Sequence, residues 1–453
     1  MIPRGAFGVL ILAVLLAPGS NAGAQSRQGG GPDTQGETTR PFRGLFRSGS
    51  SPTSDRSLIV SGSIYGGWDS SVLADQPGSS IDTRGDATEG TLGGGTLGLT
   101  FSKRGRRADF GFNVDTSTRY YPQQQELTSG AYNAGFGASI ALSRRTRLGL
   151  NQTIGYQPFY QLSLFPSLGD PILGGSPIPS NLDYVVSRDS GWIYDSAVSL
   201  DRQLGRRSAF SAFYKRSASD FDASSVTGAP AFDVDYQYAG FRFTRDIARG
   251  VALRAGYAYR TGNFSNTAIN ADDTAEAHEI DLGINYGRQL SFSRRTTFNF
   301  STGTTLFEVQ GRRNFTIVGD AALRHQFSRS WLSTIAYNRG VGFITNFSGP
   351  VLSDNVSARL DGLLGQRVMV SFQGGLSAGR VGYGAEEDDA LSDFQTYTGT
   401  ATMEYAFTAN LASFVQYAYF YYDFPRGELT PVGGTFNRNS VRVGLNISVP
   451  LLR

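Results

Sequence analysis

The side chains that could carry chemistry are few. The 453 residues include no cysteine and two histidines, His278 and His325. Without cysteine there is no disulfide framework, thiolate metal site, catalytic thiol or cysteine-linked lipid. Two distant histidines do not build a metal centre or an acid–base pair at any usual spacing. His278 sits beside a polar stretch and His325 near a basic turn, both in interfacial positions. No Ser, His and acid recur as nucleophile, base and orienter. The run Gly93-Gly94-Gly95 lies in an extended pattern, where it serves close packing or a bend rather than a phosphate. The sequence therefore predicts no enzyme activity, no metal and no cofactor.

What remains is a set of isolated charges on the polar faces of alternating segments. The positive members are Arg119, Lys215, Arg242, Arg254, Arg260, Arg324, Arg359 and Arg442. The negative members are Asp109, Asp115, Asp195, Asp201, Glu279, Asp281, Asp320, Asp361 and Glu404. Eight against nine is close to balance. Such groups can hold salt-bridge and hydrogen-bond networks and shape the field along a watery passage, but their count does not make a strong ion filter. The formal net charge of +3 is too slight to point to a nucleic-acid partner.

The segments that position these charges have a period of two. Between Ala108 and Tyr120, the residues Ala108, Phe110, Phe112, Val114, Thr116, Thr118 and Tyr120 share one face. Asp109, Gly111, Asn113, Asp115, Ser117 and Arg119 share the other. Alternation of this length is the signature of an extended strand with one apolar side. It returns at Tyr132–Leu142, Val251–Tyr259, Ile280–Tyr286, Phe315–Leu323 and Val441–Val449, with Gly, Ser, Thr, Asn and single charges opposite.

Two kinds of connection alternate along the chain. The short kind is small and often basic, as at Ser102–Arg107, Ser143–Thr146, Leu204–Arg207, Ile247–Gly250 and Ser293–Thr296. The long kind is polar and bears Gly and Pro, as at Asp69–Glu89, Leu162–Arg188, Gly262–Ala275, Gly384–Ser392 and Arg426–Asn437. Eight short and nine long connections join eighteen strands, with both ends of the chain on the short-turn side. An open sheet edge in lipid would leave main-chain groups unpaired, so such a sheet must close.

On these features residues 56–453 resemble the bacterial outer-membrane porin and porin-like barrels. The resemblance rests on pattern and on no family-specific motif. It implies an all-β, transmembrane, antiparallel up-and-down barrel with short periplasmic turns and long extracellular loops. It also implies outer-membrane lipid, lipopolysaccharide and the barrel assembly machinery as partners. One departure is the carboxyl terminus, Val449-Pro450-Leu451-Leu452-Arg453, which lacks the terminal aromatic residue usual in these barrels.

Residues 1–24 have the form of a signal peptide: Arg4, an apolar run Phe7–Leu16, and Ala22-Gly23-Ala24 before Gln25. Residues 25–55 are rich in Gly, Ser, Thr, Gln and Arg and read as a disordered periplasmic lead-in. The motif Pro41–Phe46 within them could dock a partner or plug a pore. Tyrosines such as Tyr120, Tyr156, Tyr257 and Tyr417 cluster near the long connections, and Phe243, Phe327 and Phe407 near the short turns, as aromatic belts do at both lipid–water boundaries. Phe213, Phe414, Phe420 and Tyr422 fall in inward phase, as packing groups more readily than as a sugar slide.

The connection Leu162–Arg188 carries four prolines together with Leu164, Phe165, Pro166, Asp170, Ile172 and Asp183. It follows the fifth strand, the position from which porin-like barrels fold a constricting loop inward. Two acidic stretches, Asp272–Glu276 and Glu386–Asp389, read as loop charge able to meet divalent cations. The expected function is passive diffusion of small hydrophilic solutes through a water-filled lumen. An export barrel for polysaccharide working with periplasmic partners and a loop-plugged structural or adhesive barrel are the alternatives.

Overall fold

In a computed structural model of the chain, the described residues are 56–70, 90–122, 128–157, 160–161, 185–187, 190–221, 233–266, 271–290, 293–309, 312–328, 330–343, 350–381, 393–424 and 434–452. The expected signal peptide, the lead-in, the acidic stretch Glu386–Asp389 and every constriction-loop candidate (Leu164, Phe165, Pro166, Asp170, Ile172, Asp183) lie outside this set.

The chain runs through β1 (Arg56–Asp69), β2 (Gly90–Arg104), β3 (Ala108–Tyr120), β4 (Ser129–Ser143) and β5 (Thr146–Gln157). Two short strands follow, β6 (Tyr160–Gln161) and β7 (Val185–Ser187), which pair only with each other. Then come β8 (Gly191–Gln203), β9 (Ser208–Phe221), β10 (Asp233–Ala248), β11 (Val251–Asn266), β12 (Ala271–Leu290) and β13 (Ser293–Val309). The last seven are β14 (Arg312–Gln326), β15 (Trp331–Phe343), β16 (Pro350–Leu364), β17 (Val368–Val381), β18 (Asp393–Ala406), β19 (Leu411–Phe424) and β20 (Gly434–Leu452).

Apart from β6 and β7, each strand pairs antiparallel with its neighbour in the chain, and β1 pairs with β20, so an 18-stranded sheet closes on itself. The number expected from the sequence is the number observed. Closure gives every strand two partners and leaves no edge to lipid.

The alternation decides which face is which. Ile64, Leu97, Leu282, Phe315, Ile317 and Val443 are each more than half exposed on the outer face. Apolar surface of this extent is stable only against lipid. At the long-connection end the outer face carries a row of rings, with centroids 6.2 Å apart for Tyr132 and Tyr156 and 5.3 Å for Tyr156 and Trp192. Near the opposite rim Phe407 meets Tyr405 edge-on at 5.2 Å. Rings with polar tips suit the boundary between chains and head groups.

The short turns are tight. Gly250 (φ 78°) and Gly365 (φ 77°) take the left-handed conformation that reverses the chain between β10 and β11 and between β16 and β17. Strands run into several stretches read as long connections: β7 lies within Leu162–Arg188, β20 begins at Gly434 within Arg426–Asn437, and the largest change is in Gly262–Ala275. The ladder of β11 and β12 runs on to Asn266↔Ala271, so the acidic stretch Asp272–Glu276 lies within β12 and not in a loop. Each of these acids has a partner residue across the ladder, and continued pairing outweighs the low strand propensity of the acids.

Candidate functional site: the inner wall

The register places the sequence-selected charges on the face opposite the exposed apolar residues. On β3, Asp109, Asp115 and Arg119 face the partners Arg104, Gly98 and Gly94. Asp195 and Asp201 of β8 stand opposite Thr153 and Arg147, and Lys215 of β9 opposite Ala197. Arg242 of β10 pairs with Gly256, while Arg254 and Arg260 of β11 pair with Thr244 and Tyr238. Glu279 and Asp281 of β12 stand opposite Ala258 and Gly256, although the side chain of Asp281 lies outside the described set. Asp320 and Arg324 of β14 pair with Ser301 and Thr297. Arg359 and Asp361 of β16, Glu404 of β18 and Arg442 of β20 complete the set.

These groups do not form one site. They divide into local networks, each built by strands next to one another. Arg359 donates from Nε to Asp361 at 2.8 Å, and Ser371 donates to the same carboxylate at 2.7 Å, in a pair with 7% and 2% side-chain exposure. Glu404 accepts from Asn446 Nδ2 at 3.3 Å. Lys215 and Asp195 lie 3.8 Å apart with nearly half of each side chain exposed. Two charges out of water need this kind of full partnering, whereas an exposed pair contributes little.

A second group escapes the sequence reading. Asp69 ends β1 and Arg438 lies in β20, and Arg438 Nε donates to both carboxylate oxygens at 2.9 and 2.8 Å. Beside them Ser70 N donates to Asn439 O at 2.9 Å, and Asn439 N donates to Ser70 Oγ at 2.8 Å. This fully buried fork fastens the seam where the first and last strands meet. Both residues border stretches that read as long connections. Extending the β1 alternation Ser61, Ser63, Tyr65 by two further steps reaches Asp69, and that was the available signal.

Next to the seam, Arg442 lies 5.4 Å over the Tyr65 ring. Arg119, Arg438 and Arg442 are close enough to feel one another's charge. Tyr65 fits because a side chain at Gly94 would meet its ring at 2.5 Å, which gives the glycine run of β2 a packing role. Of the inward aromatics, Phe414, Phe420 and Tyr422 are buried in the wall, and Phe213 packs 4.8 Å from Tyr238. The two histidines face outward: His278 Nδ1 meets Tyr257 Oη at 2.7 Å, and His325 Nδ1 meets Thr296 Oγ1 at 2.7 Å.

No protein-family model and no curated protein matches the chain. Among solved structures it is similar to Pseudomonas aeruginosa OccK2 (OpdF), with 10% identity and a TM-score of 0.44 over 88% of this chain and 99% of that one. For Pseudomonas aeruginosa OpdQ the figures are 11%, 0.42, 88% and 98%. For OpdO of the same organism they are 14%, 0.41, 88% and 98%. The closed barrel itself stands on the strand pairing described above.

Proposed function

We propose that the chain is a porin-like diffusion channel of the bacterial outer membrane, passing small hydrophilic solutes through a water-filled bore. The carrying observation is the inner face of β3–β9, where Asp115 and Asn133 are exposed and Lys215 and Asp195 keep nearly half of their side chains open inside a closed barrel. A sheet of this many strands is too wide for its own side chains to fill. Polar groups left open inside the barrel support a solvated path.

In this reading Asp115, Asp195, Asp201 and Lys215 border the path, while Arg359, Asp361, Glu404 and Arg442 serve mainly to stiffen the wall. The segment Leu162–Arg188 narrows the path, and outer-membrane lipid and lipopolysaccharide surround the barrel. Mixed charge on the open side gives weak ion selectivity.

The test is single-channel recording of the refolded protein in planar bilayers, alongside a variant lacking residues 163–184. Steady conductance in the intact protein, rising in the variant, is the expected result. A barrel silent in both forms overturns the diffusion reading in favour of a plugged structural barrel. A barrel that opens only in the variant favours gated export of a polymer.

A further inference from the structure

Arg260 lies on the inner face of β11, and its Nη1 donates to the main-chain oxygen of Val341 on β15 at 3.0 Å. Between β11 and β15 stand β12, β13 and β14. Along the wall this is four inter-strand steps, about 19 Å at roughly 4.8 Å each. One arginine side chain cannot reach that far along a wall of even curvature. The wall must turn back on itself, with β12–β14 forming a lobe and β11 and β15 its neck.

Three further observations describe the same lobe. Arg254, also on β11, donates to β12 and past it to β13: Nη1 to Asn285 Oδ1 of β12 at 3.1 Å and to Ser301 Oγ of β13 at 3.2 Å, and Nη2 to Thr302 O of β13 at 3.2 Å. The ladder between β12 and β13 is interrupted from His278 to Asn285. Side chains take over part of the missing pairing, since Thr304 Oγ1 donates to Ile280 O at 3.0 Å and Arg254 serves Thr302 O. A sharp fold breaks a regular ladder, and main-chain groups within a membrane then need other partners. Finally, the inward residues Asn285, Ser301, Thr305 and Thr316 are small, polar and buried, as they are when a lobe closes on itself.

Arg260 is held at the neck from both sides. Its guanidinium pairs with Glu279 of β12 and lies 4.4 Å from the ring centre of Tyr238 on β10. We infer that Arg260 is a strut across the neck, which withdraws β12–β14 from the bore and sets the width of the passage. Its effect on current rests on the diffusion reading above, whereas the closed neck itself does not.

The experiment uses the absence of native cysteine. In the full-length refolded barrel, Ala258→Cys with Gly340→Cys places two thiols at the neck with Arg260 kept in place, and a side chain at Gly340 meets only Asn338 Oδ1 at 3.6 Å. A short bifunctional thiol reagent is expected to join them. The pair Asp115→Cys with Ser217→Cys is also four steps apart, across the open wall, and is expected to stay unjoined. Failure of the Ala258/Gly340 pair to cross-link while the barrel is folded and Arg260 is present overturns the closed neck. In parallel, Arg260→Ala and Arg260→Met are expected to raise single-channel conductance by about 1.5- to 2-fold, because a pore's radius governs its conduction. Cross-linking at the neck with unchanged conductance in both variants overturns the role in setting the passage. If no form carries current, the diffusion reading fails and the cross-linking result alone decides the strut.

Discussion

The inner faces of β3–β9 and of β16–β20 with β1 follow the same alternation, yet they are different materials. Along β4 and β5 the inward residues are Ala131, Asn133, Gly135, Gly137 and Ser139, then Gly149, Asn151, Thr153 and Gly155. Along β19 they are Ala412, Phe414, Gln416, Ala418, Phe420 and Tyr422. In the first series Asn133 is exposed and Ala131, Ser139, Asn151 and Thr153 stay partly exposed, while Gly135 and Gly137 are buried. The second fills the space above the sheet, so that Ser377, Thr396 and Ala412 have no exposure at all. Polar groups in the filled wall satisfy one another: Ser377 Oγ with Asn355 Oδ1 at 2.5 Å, and Gln416 Nε2 with Thr402 Oγ1 at 3.3 Å. Inward phase alone therefore does not make a residue part of a passage. The size of its neighbours decides whether it meets water.

The contrast breaks most visibly at the seam of the filled wall. Asp69→Ala leaves Arg438 buried without its carboxylate and is expected to cost about 3–5 kcal/mol in urea unfolding of the refolded barrel. Removing both charges, as in Asp69→Leu with Arg438→Met, should cost less than the single change. A single change worth under about 1 kcal/mol would mean that the fork does not hold the seam.

Next in size is a matched pair of alanines. Ala412→Leu overfills the closed wall and should cost about 1–3 kcal/mol. Ala197→Leu, inward on β8, should leave stability within about 0.5 kcal/mol. It should lower conductance instead. Equal unfolding costs at the two positions would erase the distinction between the walls.

Smaller effects fall on the open side. Lys215→Glu removes a half-exposed pair worth at most about 1 kcal/mol. Its expected signature is a shift of the reversal potential toward cations, weakening as salt is raised and charges are screened. Asp115→Asn should move stability by no more than about 0.5 kcal/mol. Its expected effect is a slight loss of cation preference in the same recordings. If Arg442→Gln, in the filled wall, changed selectivity as much as Lys215→Glu, the filled wall would have to be in contact with the ion path.

Much of the architecture was legible because it is local. Alternation from Ala108 to Tyr120 separates an apolar from a polar face through strand stereochemistry alone. The basic short turns and polar long connections then count the strands. The boundary that moved furthest, at Asp272–Glu276, did so because composition argued for a loop while cross-strand pairing with β11 carried the ladder onward.

The charged residues of the inner wall were separable from the outer face by phase, but their partners were not. That Arg359 meets Asp361 is within reach of a sequence, since the two are inward neighbours on one strand. That Asp69 meets Arg438 depends on closure of the first strand against the last. That Arg260 meets Val341 depends on how the wall bends over β12–β14. Strand count, the phase of each strand and the side on which the turns are short could be read along the chain, because each follows from neighbouring residues. Which inward groups are sealed and which remain open emerges with the closed barrel, because curvature sums the sizes and pairings of side chains around the whole wall.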